Sequence, residues 1–193
     1  MTRWLLLAFA LALQACAVPR ALPPAGDLEA GAGEVVVIGK IELVPPLDAR
    51  FEQKSHWNVV GDKRLLERVW MSTGAEHRPV TTSQLDASQF QASLEAQWGV
   101  PFMVKAPRQR TYLNGGMAHL DVLRQERLWF PGGLYFDVPA GARAVYVGTL
   151  RYHRNDFNAI TRVEVVDERR DIDTVLKGAP AAQVPVSLMK RVR

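Results

Sequence analysis

The 193-residue sequence predicts a mainly β domain, either an antiparallel β-sandwich or a small barrel. Three consecutive segments carry this prediction. Apolar and polar residues alternate in 134–138, a turn with Pro and Gly follows at 139–143, and the apolar run 144–152 comes next. A third alternating run spans 160–166. Because successive side chains of a strand point to opposite faces, these runs indicate strands joined as hairpins.

Two earlier segments predict further strands of the same domain. Residues 35–44 are rich in β-branched side chains and end before Pro45 and Pro46. In 100–105, alternate residues are apolar, and Pro101 indicates the start of a strand or an edge strand. The predicted sheets therefore draw strands from both halves of the chain.

Two short helices are predicted beside the strands. Residues 83–98 place apolar side chains near helical spacing and are followed by Gly99 as a stop. Residues 167–177 have acidic side chains early and Lys177 last, which is the charge order that the helix dipole prefers. The segment 62–72 fits a helix and a strand equally well, so both interpretations stay open.

The chain divides into four parts: an apolar leader at 1–15, a flexible linker at 16–34, one folded domain at 35–178 and a tail at 179–193. The linker is rich in Ala, Pro and Gly and has no hydrophobic period. The tail ends in Lys-Arg-Val-Arg, which suits contact with anionic lipid or another polyanion. Its terminal position and composition favour disorder instead.

Composition argues against several classes of function. The 24 basic and 20 acidic residues are mixed along the chain, so no patch dense enough for nucleic acid stands out. No two of the four histidines have the spacing of a local zinc motif. The acidic residues of 167–173 lack the glycine and distal glutamate of a calcium loop. We therefore expect no nucleic-acid partner, no metal and no cofactor.

The first 16 residues have the layout of a secretory signal peptide. Arg3 is the only charged residue among them, 4–13 is fully apolar, and small residues follow. The apolar run is too short for a membrane-spanning helix, which needs roughly 20 residues. Cys16 lies three positions after the end of the run and is the only cysteine, so it has no partner for a disulfide within the chain.

The sequence Leu-Gln-Ala-Cys at 13–16 resembles the lipobox of bacterial lipoproteins, with Gln14 as its one less usual residue. The resemblance implies signal cleavage between Ala15 and Cys16, followed by acylation of the Cys16 sulfur. Two or three acyl chains on one residue give stable membrane anchoring. Since Ala17 is not aspartate, the sorting pattern of the family implies the outer membrane rather than the inner one. The domain would then face the periplasm.

The segment 136–152 (FDVPAGARAVYVGTLRY) resembles β-sandwich modules of bacterial envelope lipoproteins. In those modules a P-x-G turn leads into an apolar Y-V-G-T strand. The resemblance implies an immunoglobulin-like or prealbumin-like sandwich over 100–170. It carries no catalytic residues and therefore bears on the fold alone.

Two segments are candidate sites within the domain. Trp129 and Phe130 precede 131–133, and bulky aromatics beside a flexible turn suit stacking on a sugar or another small ligand. The alternative for this pair is core packing at a strand end. The second segment contains His153 and Asp156, which suit a hydrolase if a nucleophile lies within reach. Asn and Asp after a strand are also ordinary turn residues.

The sequence therefore predicts a bacterial envelope lipoprotein that is not an enzyme and that has a structural, assembly or protein-interaction role. Its expected partners are membrane lipid, through acylated Cys16, and an envelope protein. The alternative is a small-ligand or glycan-binding β module that uses the aromatic residues around Trp129.

Overall fold

A computed structural model describes residues 30–47, 66–79, 90–120, 126–170 and 184–193. Within these residues the fold is mainly β, which confirms the predicted class, and its two sheets are compatible with a β-sandwich. Strands and turns account for this part of the chain, with no α-helix in it. None of the described residues belongs to a helix long and apolar enough to cross a membrane.

Nine strands form in the described part of the chain. A four-stranded sheet has the order β4-β1-β7-β8, and a five-stranded sheet has the order β3-β2-β5-β6-β9. The strands are β1 (Glu34–Val44), β2 (Arg68–Gly74), β3 (Leu94–Gln97), β4 (Phe102–Pro107), β5 (Thr111–His119), β6 (Arg127–Phe136), β7 (Ala144–Arg154), β8 (Ile160–Val166) and β9 (Lys190–Arg191).

The four-stranded sheet is mixed, so the prediction of purely antiparallel pairing is wrong for one pair. β1 pairs antiparallel with β4 and parallel with β7. About a hundred residues separate β1 from β7, which is ample for the crossover that a parallel pair requires. β7 and β8 form the antiparallel hairpin that the sequence predicts. Neighbouring strands of the five-stranded sheet are antiparallel.

β1 is buried on both faces, which explains its unbroken apolar run. Val37 and Ile41 point between the two sheets and belong to the main core. Val36 and Ile38 point to the opposite face, where they pack with Val184 in a second, smaller cluster. The four-stranded sheet is therefore covered on its outer face by the C-terminal segment.

The C-terminal segment 184–193 is part of the fold, so the prediction of a disordered tail is wrong for these residues. Val184 and Met189 are buried. The segment exchanges backbone hydrogen bonds with Tyr146 and Val147, in the first part of β7 that β8 does not pair, and then contributes β9 to the other sheet. Because it pairs with backbone groups of β7 and β6 that no other strand reaches, the segment joins the two sheets on one side.

The helix predicted for 83–98 is wrong at its end, where Leu94–Gln97 forms β3. Glu95 accepts a hydrogen bond from Trp70 Nε1 at 3.1 Å and pairs with Arg68 at 3.2 Å, both on the neighbouring strand β2. These cross-strand contacts outweigh the local preference for a helix. A pattern of four residues fits a helix and a strand equally well, and pairing with β2 is what makes this segment a strand.

The structure also describes parts of the other two segments for which a helix was considered, 62–72 and 167–177. In 62–72 the described residues include the start of β2, so the strand alternative is confirmed there. Of the helix predicted for 167–177, the structure describes the first four residues, and 169–170 form part of a 3₁₀ turn. The rest of that prediction lies outside the described residues, as do 83–89.

Four strand pairs in the described residues contain a register shift, and two of these shifts fall at glycines. In the five-stranded sheet, Gly132 and Gly133 of β6 lie opposite Asn114 of β5, and Gly133 has a φ of 84°. A Cβ on Gly132 would lie 2.1 Å from the carbonyl oxygen of Asn114, so no larger residue fits without movement. In the four-stranded sheet, the register of β7 shifts at Gly148, which has a φ of 98°.

The turns define two ends of the domain. The proximal end contains 31–33, 108–110 and 139–142, and the described chain begins there. The distal end contains 98–101 and 155–159. β1 runs from one end to the other over 11 residues, so the ends lie about 35 Å apart at a rise of roughly 3.3 Å per residue.

Candidate functional site

Ala15 and Cys16 lie outside the described residues, so signal cleavage and acylation stay predictions. The structure does place the start of the domain, because Glu34 begins β1 at the proximal end. Seventeen residues separate Cys16 from Glu34. At roughly 3.4 Å per residue they reach at most about 60 Å when fully extended.

Trp129 and Phe130 lie inside β6, so the prediction of an exposed aromatic loop is wrong. Phe130 is 2% exposed and packs against Trp98 and Tyr152, with ring centroids 5.3 and 4.9 Å away. It is a core residue and not a ligand contact. Trp129 points to the opposite face, where it is half-buried against Phe90. The glycines that suggested a flexible turn form the β6 bulge instead.

His153 and Asp156 are not assembled as a hydrolase pair. Nε2 of His153 lies 3.1 Å from Glu164 Oε2 and 3.1 Å from Arg162 Nη2, both on β8. Asp156 is exposed on the turn that follows β7, which confirms the turn interpretation of this segment. The imidazole therefore belongs to an ion cluster across the hairpin. Among the described residues, no three His, Cys, Asp or Glu side chains form a group able to hold a metal ion.

The outer face of the four-stranded sheet carries a network of four charged side chains. Lys40 is only 8% exposed, and its Nζ lies 2.8 Å from both Glu42 and Glu168. Arg151 contacts the same two carboxylates, at 2.9 Å for Glu42. Because every charge in this network faces opposite charges, removal of one group would leave a largely buried charge uncompensated.

The Glu168 carboxylate makes the network sensitive to acid. Burial raises its pKa, but the hydrogen bond and charge of Lys40 and the charge of Arg151 outweigh burial and hold the pKa below the usual 4.5. A carboxyl whose pKa is lower in the folded state stabilises the fold above its unfolded pKa. That contribution is lost as the pH falls through the folded value.

We therefore expect Glu168→Gln to lower the free energy of unfolding by about 2 kcal/mol at pH 7 and by much less at pH 3. Urea unfolding of both proteins at the two pH values measures the difference. The control is Glu164→Gln, because that side chain is 43% exposed and its ion pairs are worth less than about 1 kcal/mol. An equal loss for Glu168→Gln at both pH values would show that charge is not the cause.

The turn at 155–159 displays one aromatic side chain at the distal end. Phe157 is 90% exposed. The Asn155 side chain accepts hydrogen bonds from the backbone N–H groups of Phe157 and Ala159, both at 3.0 Å. Asn158 has a φ of 58°, a conformation that asparagine adopts more readily than most residues. The turn is thus held by its own hydrogen bonds with the ring directed outward.

The Arg154 side chain connects this turn to the residues that follow β1. Its guanidinium donates to the carbonyl oxygens of Pro45 and Pro46 at 3.0 and 2.9 Å and also to the Asn158 side chain. One side chain therefore joins the hairpin to the end of β1. This arrangement fixes the position of Phe157 relative to the sandwich, which lowers the entropy cost of binding through that ring.

A mainly apolar groove lies beside the hydrogen bonds of Arg154. Its volume is about 490 Å³, and Pro46 belongs both to this groove and to the contacts of Arg154. Val100, on the groove wall, is 40% exposed; it and Phe157 are the two exposed large apolar side chains of the described residues. Both are at the distal end. The apolar lining comprises Leu43, Pro46, Leu47, Leu66, Trp98, Gly99 and Val100.

The sequence contained a signal for this site that our prediction did not use. Phe157 stands between Asp156 and Asn158, in a turn where small polar residues are the usual choice. A large aromatic residue in such a turn has no strand face to bury it. Comparison with known proteins finds no match for the chain among family models, curated proteins or solved structures.

Proposed function

We propose that this chain is a lipid-anchored bacterial envelope protein with a non-catalytic protein-interaction role on the periplasmic side, held in the outer membrane through Cys16. The lipobox-like residues 13–16 and the linker support the anchor. The groups that suggested chemistry, His153 and Asp156, lie apart, and the charged network around Lys40 is internally paired. Binding is the role that these features support best.

The observation that best supports the interaction role is the exposed Phe157 at the distal end, on a turn held by the hydrogen bonds of Asn155 and Arg154. Burial of a large aromatic ring in a partner pocket provides much of the binding energy at protein interfaces. The described chain begins at the opposite end, about 35 Å away. A tether that leaves from the proximal end would let the distal end point away from the lipid surface, toward a partner.

The finer fold assignment is part of the same proposal. We assign the domain to the immunoglobulin-like or prealbumin-like sandwiches that segment 136–152 resembles. Its support is the pair of facing sheets with a shared apolar core, and the β7–β8 hairpin that closes one of them. This assignment implies a binding scaffold in which the turns at one end carry the contacts.

Photo-crosslinking from position 157 tests the interaction role. Phe157 is replaced in living cells by a benzophenone-bearing phenylalanine, and the adducts formed under ultraviolet light are identified by mass spectrometry. We expect a discrete adduct with another envelope protein. Phe157→Ala should then weaken binding of the purified pair by about 2 kcal/mol, roughly 30-fold.

The matched control places the same photo-reactive residue at Ala140, an exposed position in the turn between β6 and β7 at the proximal end. The protein adduct should be absent there. The interaction role is rejected if positions 157 and 140 give the same adducts, or if position 157 gives none. An adduct between two copies of this chain would replace the proposed partner with self-association.

A further inference from the structure

The proximal end carries an excess of positive charge. Among the described residues of this end and its groove, seven exposed basic side chains stand against two acidic ones, and the Arg78–Glu76 pair adds no net charge. The seven are Lys105, Arg108, Arg110, Arg143, Lys190, Arg191 and Arg193, and the two are Glu34 and Asp137.

The residues that the structure describes at the distal end show no such excess. Arg68 pairs with Glu95 there, and Arg162 pairs with Glu164. The charge asymmetry therefore runs along the axis that separates the start of the described chain from the turn with Phe157. Such an asymmetry orients a protein at a charged surface.

A groove on the five-stranded sheet continues the basic end. Its volume is about 560 Å³, and Arg110, Tyr112, Tyr135 and Lys190 are among its lining residues. Strand register explains how they meet, because Tyr112 pairs with Tyr135 and Tyr135 with Lys190 on three neighbouring strands. Residues that are far apart in sequence thus form one row across the sheet.

Cations and ring faces alternate within this row. The Arg110 guanidinium lies 4.7 Å from the centroid of Tyr135, and Lys190 Nζ lies 5.9 Å from it. The rings of Tyr112 and Tyr135 are 5.8 Å apart. Arg110 and Lys190 share the single carboxylate of Asp137, at 2.8 and 3.3 Å. One positive charge of the three groups therefore stays uncompensated.

This chemistry suits a phosphate-bearing lipid head group. The arginine fork and a lysine are the usual donors to phosphate oxygens. Tyrosine has an apolar ring and a polar hydroxyl, which is why it is enriched where hydrocarbon meets water. A surface that combines both residue types at one end fits the boundary of an anionic bilayer better than it fits a neutral sugar.

We propose that the proximal end binds the head groups of anionic phospholipids, with the groove of Arg110, Tyr112, Tyr135 and Lys190 receiving one phosphate. The proposal deepens the proposed function, on which it rests for the anchor that would hold this end near the bilayer. Acylation at Cys16 would restrict the domain to within about 60 Å of the surface, so that even weak head-group contacts would be populated. The domain would then stand with Phe157 directed away from the lipid.

Binding to vesicles by the unacylated protein separates this contact from the anchor. The chain from residue 16 to 193 carries Cys16→Ser, so neither leader nor acyl group contributes. We expect it to sediment with vesicles of phosphatidylcholine containing 30% phosphatidylglycerol and not with pure phosphatidylcholine. Because the attraction is electrostatic, binding should disappear in 1 M salt, where the screening length is about 3 Å.

Charge variants locate the surface. Arg110→Gln combined with Lys190→Gln should lower the vesicle partition coefficient about tenfold, whereas Asp137→Asn should raise it several-fold. The matched control removes two exposed cations of the distal end, with Arg127→Gln and Arg162→Gln, and should change binding less than twofold. Thermal unfolding of each variant confirms that it is folded.

Three results would overturn the proposal: equal binding to neutral and anionic vesicles, equal losses for the proximal and distal pairs, or tighter binding to polyglutamate than to anionic vesicles. The last result would assign the groove to an acidic protein. Each outcome is independent of acylation, because the tested chain has no acyl group. Loss of the anchor is detected in a separate experiment, by fractionating cells that express the full-length chain with its leader.

Discussion

Cys16→Ala is expected to shift the protein from the membrane fraction to the soluble fraction almost completely. Each acyl CH₂ that enters the bilayer stabilises attachment by about 0.8 kcal/mol, and two chains together make attachment effectively permanent on the time scale of fractionation. Alanine offers no sulfur for acylation and also removes the cleavage residue. Because an uncleaved apolar leader would itself hold the chain at the membrane, the variant is expressed behind a leader that the general signal peptidase removes.

The measurement combines cell fractionation with incorporation of labelled palmitate. Membranes are washed with 1 M salt before counting, since head-group contacts at the proximal end would otherwise retain part of the unacylated protein. Ala17→Asp is the control variant, because it should keep acylation while moving the protein toward the inner membrane. The anchor is disproved if Cys16→Ala incorporates no palmitate yet stays as firmly bound as the wild type after the wash.

The sequence predicts the strands that form local patterns, and it misses those that depend on a partner. β7 and β8 follow one another across a short turn, so alternation and turn residues are sufficient to identify the hairpin. β3 has four residues with no local pattern of its own. Its strand state depends on Glu95 reaching Trp70 and Arg68, residues more than twenty positions away. Propensity cannot anticipate such contacts.

The same distinction applies to the candidate sites. The turn after β7 could be predicted, because Asn155 and Asp156 favour turns wherever they occur. The groove of Arg110, Tyr135 and Lys190 could not, since it arises from the pairing of β6 with β9 and of β5 with β6. A basic chain terminus alone indicated affinity for polyanions. The structure adds the aromatic row that gives this affinity a defined place.

The two glycines of β6 suggest a turn in the sequence but form part of a strand in the structure. The reason is a close backbone contact, which also makes the strand sensitive to substitution at one of these glycines. After Trp129 and Phe130, a Pro-Gly-Gly sequence ordinarily ends a strand, yet here β6 continues through the bulge and stays paired with β5. The bulge is possible because Gly132 approaches the backbone of Asn114 as no other residue could. Asn114 in turn accepts a hydrogen bond from Arg78 N–H and donates one to the Glu76 carbonyl, which fixes the loop after β2.

Gly132→Ala is therefore expected to destabilise the fold by about 3 kcal/mol, near the upper end for overpacking. The added Cβ would lie 2.1 Å from the Asn114 carbonyl oxygen, and a backbone atom cannot turn aside as a side-chain tip does. Gly74→Ala is the matched control, because its Cβ meets the same residue at an ordinary 3.6 Å from Nδ2. We expect it to cost less than about 1 kcal/mol. Urea unfolding distinguishes the two, and equal midpoints would show that β6 does not depend on this close approach.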